Sequence, residues 1–271
     1  FGSSHSGSRC GLSAWRCARG SCLAQMGASF CTCCWPELPP IGDRDPAAVA
    51  DAVRLLDRVY ERHGFDWAYR IGKVREARAQ SYQLFGSENA GVYGELHPFS
   101  VVSMLFAVCA QPGQRFYDLG SGTGKVVVLA KLLGLKATGI ELFEERWDAS
   151  CKALQRLKEL APECDGEDAR FVRANVLDVD FSDADILFST DVLWPPELRA
   201  GVAAAARRLR PGSIVVTNHP MAGPGFDPVT ELSLVTSWNA TCPYRVQVVT
   251  GVLADQAAGE GAGGDGALAK S

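Results

Sequence analysis

Three observations predict an α/β protein with a Rossmann-like, mostly parallel and doubly wound sheet that ends in an antiparallel edge hairpin. An apolar strand at 115–119 runs directly into Gly120, Gly122 and Gly124, and an apolar helix starts behind them. From about Gly91 to Leu253, strand and helix periods alternate, which is the signature of βα units. Two β-rich runs, 230–238 and 244–253, then follow with no helix between them, as an antiparallel hairpin requires.

The elements follow in order. Residues 1–40 are rich in Gly, Ser and Cys, carry no helical or strand period, and are expected to be a disordered leader. Asp45-Pro46 opens a helix, with Asp as N-cap and Pro in the first turn, and Val49, Val53, Leu56, Val59 and Tyr60 form its apolar stripe. This helical extension is expected over 41–90. Within it Arg70, Lys73, Arg75 and Arg78 form the densest basic run, read as a solvated face or as a phosphate or acidic-partner contact. The main domain, 91–253, is expected to begin with a helix at 98–110. The order is then strand 115–119, helix 124–133, strand 136–141, helix 144–160, strand 170–174, strand 185–190, helix 196–210 and strand 213–218. The Gly- and Ala-rich tail, 254–271, is expected to be disordered.

At 271 residues and 47% hydrophobic, the chain can bury one sizeable core. A net charge of -4 argues against a protein held to nucleic acid by charge alone, and no sequence-specific nucleic-acid motif is present. No apolar run reaches the roughly 18 residues that span a bilayer. The chain begins at Phe1, which predicts a fragment or processed form. Six of the 10 cysteines (Cys10, Cys17, Cys22, Cys31, Cys33, Cys34) fall in the leader without metal-ligand spacing, so no metal is expected. Cys109, Cys151, Cys164 and Cys242 are scattered and read as reduced thiols.

The glycine loop carries the chemistry. Gly-x-Gly-x-Gly at a strand-to-helix turn brings bare backbone against a ligand. A dinucleotide fingerprint needs its third glycine where Lys125 stands, and a P-loop needs glycine at Leu119 and Ser or Thr at Val126. Asp118 at the strand end would repel a phosphate. The pattern that remains is the loop of S-adenosylmethionine (SAM)-dependent methyltransferases, with Asp118, Gly120, Ser121, Gly122 and Gly124 around the cofactor. Glu141 ends the next strand, 23 residues after Asp118, where a carboxylate can accept both hydrogen bonds of a ribose diol.

Flanking motifs narrow the resemblance. Val92-Tyr93-Gly94-Glu95 precedes the loop with a helix between. With Asp118-Leu119-Gly120-Ser121-Gly122-x-Gly124 it resembles the disruptor-of-telomeric-silencing family, the non-SET methyltransferases of histone H3 lysine-79. The similarity continues through Ile186-Leu187-Phe188-Ser189-Thr190-Asp191-Val192-Leu193-Trp194-Pro195-Pro196-Glu197, where the family has an Asn-Asn pair, two aromatics and a Pro-Glu. It resumes at Pro211-Gly212-Ser213-Ile214-Val215-Val216 and at Ser237-Trp238, covering roughly residues 90–250.

The resemblance implies a class I methyltransferase fold, SAM as cofactor, a protein substrate with histone H3 in nucleosomes as the partner, and a nuclear location. It implies that Tyr93, Glu95, Asp118, Gly120 and Glu141 bind the cofactor. Lys125 stands beside them where the family often has Gln, and Asn175 follows a strand at a cofactor-binding position, with Asp178 the nearby acid. Asp191, Tyr93 and Trp194 are the candidates for the reacting end. Asp191 falls where the family places an asparagine next to the transferred methyl. A carboxylate there would favour the unreactive ammonium form of lysine, or would suit a different nitrogen nucleophile. Two alternatives therefore stand beside the histone reading: a methyltransferase of the same fold with another protein or small-molecule substrate, and a SAM-binding regulatory module without turnover. Trp238 and Tyr244 read as edge packing, and His219 as a pocket-lining residue rather than a base. Oligomeric state is not set by these residues.

Overall fold

The computed structural model describes residues 45–61, 75–164, 167–227 and 230–251. The expected leader and tail, and Arg70 and Lys73 of the basic run, lie outside the described residues. Seven strands form one sheet: β1 (Arg115–Leu119), β2 (Lys136–Glu141), β3 (Ala169–Arg173), β4 (Ile186–Ser189), β5 (Ile214–Thr217), β6 (Thr230–Leu234) and β7 (Cys242–Val248). Their spatial order is β3-β2-β1-β4-β5-β7-β6. The pairs among β1 to β5 are parallel, and β7 lies antiparallel to both β5 and β6. This is the Rossmann-like class I methyltransferase fold. The strand order reverses between β1 and β4, and ligands of open α/β sheets bind at the carboxyl ends of such a switch point.

Among the described residues six α-helices accompany the sheet: α1 (Pro46–Glu61), α2 (Arg75–Phe85), α3 (Pro98–Ala107), α4 (Lys125–Leu132), α5 (Glu144–Leu160) and α6 (Pro196–Ala206). Alternate strand residues serve opposite faces, as a period of two demands. Phe116, Ile186, Phe188, Ile214 and Val216 face a core built with α1, α3, α4 and α5. Tyr117, Leu119, Leu187 and Val215 face a second core built with α6. The Asp45 side chain caps α1 by accepting the Ala47 N–H at 3.0 Å, and Val53, Leu56, Val59 and Tyr60 of the expected stripe are buried.

Most element boundaries follow the expected ones within a residue or two. The larger differences have local causes. The helix expected over 196–210 ends at Ala206, because Pro211 disfavours helical backbone at the residue before it and the last turn tightens into bonds from Arg208 N–H to Ala205 and from Leu209 N–H to Ala206. The strand expected over 230–238 stops at Leu234, because residues 235–237 pair instead with the segment around Glu95. His97 N–H donates to the Val235 carbonyl at 3.0 Å, and Ser237 N–H donates to that of Glu95 at 2.8 Å. Cys151, Cys164 and Cys242 are free thiols, whereas Cys109, expected to be reduced, is disulfide-bonded. No helix among the described residues is long and apolar enough to cross a membrane.

An aromatic column crosses the centre of the sheet. Phe116 stacks on Phe188 with ring centroids 6.2 Å apart, and Phe188 stacks on Tyr244 at 5.7 Å. All three side chains are essentially without solvent contact. Phe116→Ala should therefore lower stability by about 3–5 kcal/mol, and Phe116→Leu by clearly less. Urea unfolding reads both as a fall in midpoint at constant slope, and a loss below about 1 kcal/mol for the alanine variant would show that the column is not the core.

Candidate active site

The glycine loop leaves β1 at its carboxyl end and returns into α4. Gly120 and Ser121 both donate their N–H to the Ile140 carbonyl of β2, at 2.8 and 3.0 Å, which ties the loop to the neighbouring strand. Gly122 has φ 57° and Gly124 φ 87°, in the left-handed region that side chains avoid. Space adds to the requirement. A Cβ on Gly122 would stand 2.6 Å from the Tyr93 ring, and one on Gly124 would stand 2.3 Å from that of Phe171.

Glu141 holds this loop from β2. One carboxylate oxygen accepts the Gly122 N–H at 2.7 Å, and the other accepts the Phe143 N–H at 2.9 Å. The same side chain therefore shapes both the glycine turn and the turn that starts α5. Asp118, one step away at the end of β1, is buried. Loss of solvent, and secondarily the Glu141 charge, push its carboxyl up to about 8, so it is mostly protonated at neutral pH.

Tyr93, Gly94 and Glu95 close the cavity from the other side. The Tyr93 hydroxyl lies 2.7 Å from both Glu95 Oε1 and Thr123 Oγ1. Glu95 Oε2 takes an ion pair from Lys125 Nζ at 2.7 Å, and both side chains are nearly buried. The Lys125 ammonium sits 5.2 Å from the Tyr60 ring centroid, and the Tyr60 hydroxyl donates to the Thr123 carbonyl at 2.8 Å. Helix α1 is thereby fastened to the far side of the loop. Desolvation raises the Tyr60 and Tyr93 hydroxyls well above the usual phenol range, so both stay neutral donors.

Of the residues singled out from the sequence, the structure brings Tyr93, Glu95, Asp118, Gly120, Ser121, Gly122, Lys125, Glu141, Asn175 and Trp194 around one cavity. Gly124 does not line it and instead caps α4. Asn175 reaches the cavity wall while its side-chain oxygen accepts the Leu177 N–H at 3.1 Å, and Asp178 is exposed and stands outside. The Trp194 ring lies over Gly120, 3.2 Å from where a Cβ would be.

Asp191 is the exception that matters most. It was expected at the reacting end, yet it does not line this cavity. Past β4 the chain keeps its alternation: Phe188 and Thr190 face the cavity, while Ser189 and Asp191 face the opposite side. There the Asp191 carboxylate accepts the N–H groups of Asn218 and His219, at 2.6 and 3.2 Å, and meets the His219 ring Nδ1 at 3.2 Å. Thr190 takes the position at the cavity instead, its hydroxyl 2.9 Å from that of Tyr244.

Among the lining residues that the sequence reading did not assign to the site are Phe143, Arg146, Phe188 and Thr190. Arg146 was detectable in principle. It lies on the buried face of α5 with Ala149, Ser150, Ala153 and Leu157, a charge where the period calls for an apolar side chain. Its guanidinium lies 4.7 Å from the Phe143 ring centroid and 5.2 Å from that of Tyr93, and burial lowers its affinity for the proton. The Ser121 hydroxyl is buried and has no protein partner. A cavity lined by three carboxyls, with bare glycine backbone below and a Ser121 hydroxyl without a protein partner, fits a cationic nucleoside cofactor.

The family described as "Histone methylation protein DOT1" matches residues 71–240, well over half of the chain. The chain belongs to the DOT1 family. It is therefore a member of a SAM-dependent methyltransferase family, and SAM is the cofactor. Curated relatives named "Histone-lysine N-methyltransferase, H3 lysine-79 specific" include one from Eremothecium gossypii, 31% identical over half of this chain and a quarter of its own length. One from Debaryomyces hansenii is 29% identical over 60% of this chain and 14% of its own. The chain thus spans a quarter or less of these DOT1 relatives. Solved structures with a similar fold include an RNA methyltransferase from Salinibacter ruber with S-adenosyl-L-homocysteine (TM-score 0.38, 15% identity, 68% of this chain and 96% of that one). Another is a SAM-dependent methyltransferase from Thiobacillus denitrificans with the same ligand (TM-score 0.37, 23% identity, 45% and 48%).

Two outcomes follow from this geometry. Glu141→Ala leaves two buried N–H groups without their charged acceptor, each bond contributing roughly 1.5–3 kcal/mol, so it should weaken the fold itself as well as the cofactor site. Thermal unfolding without ligand should show a clear loss of Tm, and an unchanged Tm would reduce Glu141 to a ligand contact. Asp118 gives a pH signature. Because its folded value of about 8 lies above the ordinary 3.8, its contribution to stability is fully present below about pH 4 and is lost as pH rises through 8. Asp118→Asn, a neutral near-isostere, should leave Tm unchanged near pH 4 and raise it by several degrees near pH 9. A pH-independent difference would contradict the buried, protonated acid.

Proposed function

We propose that this chain transfers the methyl group of SAM to the side-chain amine of a protein lysine, with histone H3 lysine-79 in nucleosomes as the acceptor and the nucleus as the place of action. The observation that carries the reading is the packing of Tyr93-Gly94-Glu95 onto the glycine loop through Thr123 and Lys125, two motifs that share one cavity and one family. The names of the curated relatives support the lysine and histone part. We read residues 91–253 as the catalytic domain, with the preceding helices closing its cavity.

When bound, the cofactor supplies a methyl group activated on a sulfonium. The glycine backbone, Glu141, Ser121 and Asn175 are placed to hold it, and Arg146 limits the negative charge of the acids around it. Asp118, which burial keeps protonated, would give up that proton more readily beside a bound cation. Methyl transfer is an in-line displacement, so the protein's task is alignment and exclusion of water. Phe188, Trp194 and Tyr93 give the cavity aromatic walls that desolvate an incoming ammonium and favour the neutral, nucleophilic amine. The Thr190 hydroxyl, anchored by that of Tyr244, is a neutral acceptor able to orient that amine. Because Asp191 points away, its charge does not hold the amine protonated.

A second reading, methylation of a non-histone acceptor, is favoured by Thr190-Asp191 standing where the family has Asn-Asn. Incubation with labelled SAM and nucleosomes, free histones or cell extract separates the two, and labelling confined to the extract would move the assignment to the second. Thr190→Val should lower kcat by about tenfold or more, the loss of a transition-state contact of about 1.4 kcal/mol, while SAM affinity stays within a few-fold. Unchanged kcat would remove Thr190 from the reacting end.

A further inference from the structure

A second cavity of about 330 Å³ lies on the other side of Trp194, which lines both. Its walls are mostly apolar, with Pro196, Val202 and Ala203 of the α6 segment facing Met221 and Ala222 after β5. Two polar side chains enter it: the half-buried Arg199 from α6, a guanidinium, and the imidazole of His219. No ion pair or side-chain hydrogen bond engages Arg199 among the described residues, whereas the acid lining the same cavity, Asp191, is already fully used. One of its oxygens accepts two backbone N–H groups, and the other meets the His219 Nδ1. The side chain of Asp191 is only 6% exposed, so it orients His219 and presents little charge to the cavity. With Nδ1 turned to Asp191, the other ring nitrogen, Nε2, remains for a ligand.

We infer that this cavity binds an acidic side chain of the substrate polypeptide close to the methylated residue, with Arg199 holding its carboxylate and the His219 ring lining the cavity beside it. The planar guanidinium offers paired donors that match a carboxylate, and a charged acceptor strengthens each bond. The apolar walls fit an aliphatic stem, which a glutamate supplies and an inorganic phosphate does not. Free small carboxylates share this head group, but the location selects the polypeptide: a group held here stands one indole away from the cavity that receives the acceptor. The cavity therefore reads the sequence around the target rather than the target itself. This inference rests on a protein acceptor, as proposed above.

The test has two arms, both with the full chain. In the first, saturation-transfer NMR measures binding of a blocked glutamate (N-acetyl, N-methylamide) and of its glutamine counterpart. The wild type should bind the glutamate and not the glutamine, and Arg199→Ala should abolish that difference. In the second, nucleosome methylation by Arg199→Ala should show KM raised by about fivefold, as for a partly exposed ion pair, with kcat within about twofold. Arg199→Lys should recover part of the loss, and SAM affinity should not change in either variant. Binding of the glutamate probe by Arg199→Ala as by the wild type would overturn the inference, as would an unchanged KM in an active enzyme. A wild type inactive on nucleosomes that still shows the Arg199-dependent preference would overturn the histone reading and support the cavity.

Discussion

The carboxylate of Glu141 is the constraint on which the rest of the site depends. A left-handed glycine turn has no repeating hydrogen-bond pattern to define it, so something outside the loop must accept its N–H groups. Glu141 accepts from Gly122 on one side and from Phe143 on the other. The strand β2 thus supplies the template for two turns belonging to two different βα units. The glycines make the turn possible, and Glu141 selects it. Burial foremost, and then the Glu141 charge beside it, make its neighbour Asp118 keep its proton. Glu141 thus shapes the loop and adds to the electrostatics of the cavity.

A second layer of polar contacts gives the loop an outer wall. Tyr93, Glu95, Lys125, Tyr60 and Thr123 form a chain of hydrogen bonds, an ion pair and a cation–π contact that runs from the segment before α3 to helix α1. Glu95 and Lys125 have almost no solvent contact, so the pair gains little from competition with water and much from its fixed geometry. Its role is positional: it holds Tyr93 at the distance at which only glycine fits at position 122.

The fold was largely readable before the structure because its signals are local and repeated. Alternation at Phe116, Tyr117 and Leu119, the Asp45-Pro46 helix start and the glycine turn each depend on neighbours in the chain. The cavity was readable where a residue belonged to a motif, as with Tyr93, Glu95, Asp118 and Glu141. It was hidden where position depended on tertiary direction. Asp191 and Thr190 are adjacent, and only the phase of the strand before them decides which one faces the cavity. Arg146 was hidden for another reason: beside its neighbour Phe143, a buried arginine is tolerated by the Tyr93 ring and the Gly91 carbonyl, which come from a distant segment. The ending of β6 at Leu234 was not readable either, since its cause is a pairing partner near Glu95.

That pairing has a consequence for the order in which the molecule can be completed. Leu96 bridges Thr236, the Glu95 N–H donates to the Ser237 hydroxyl, and the Trp238 ring fills the space beside Gly94 that a Cβ would need. The wall carrying Tyr93 and Glu95 is therefore backed by residues made some 140 positions later. While the chain leaves the ribosome, the glycine loop and β1 to β4 can assemble early, but the wall opposite them has no support until Trp238 has emerged. A closed site thus waits for the segment around Trp238 to be made, and a nascent chain cut short before β6 would carry every motif of the loop without a backed wall.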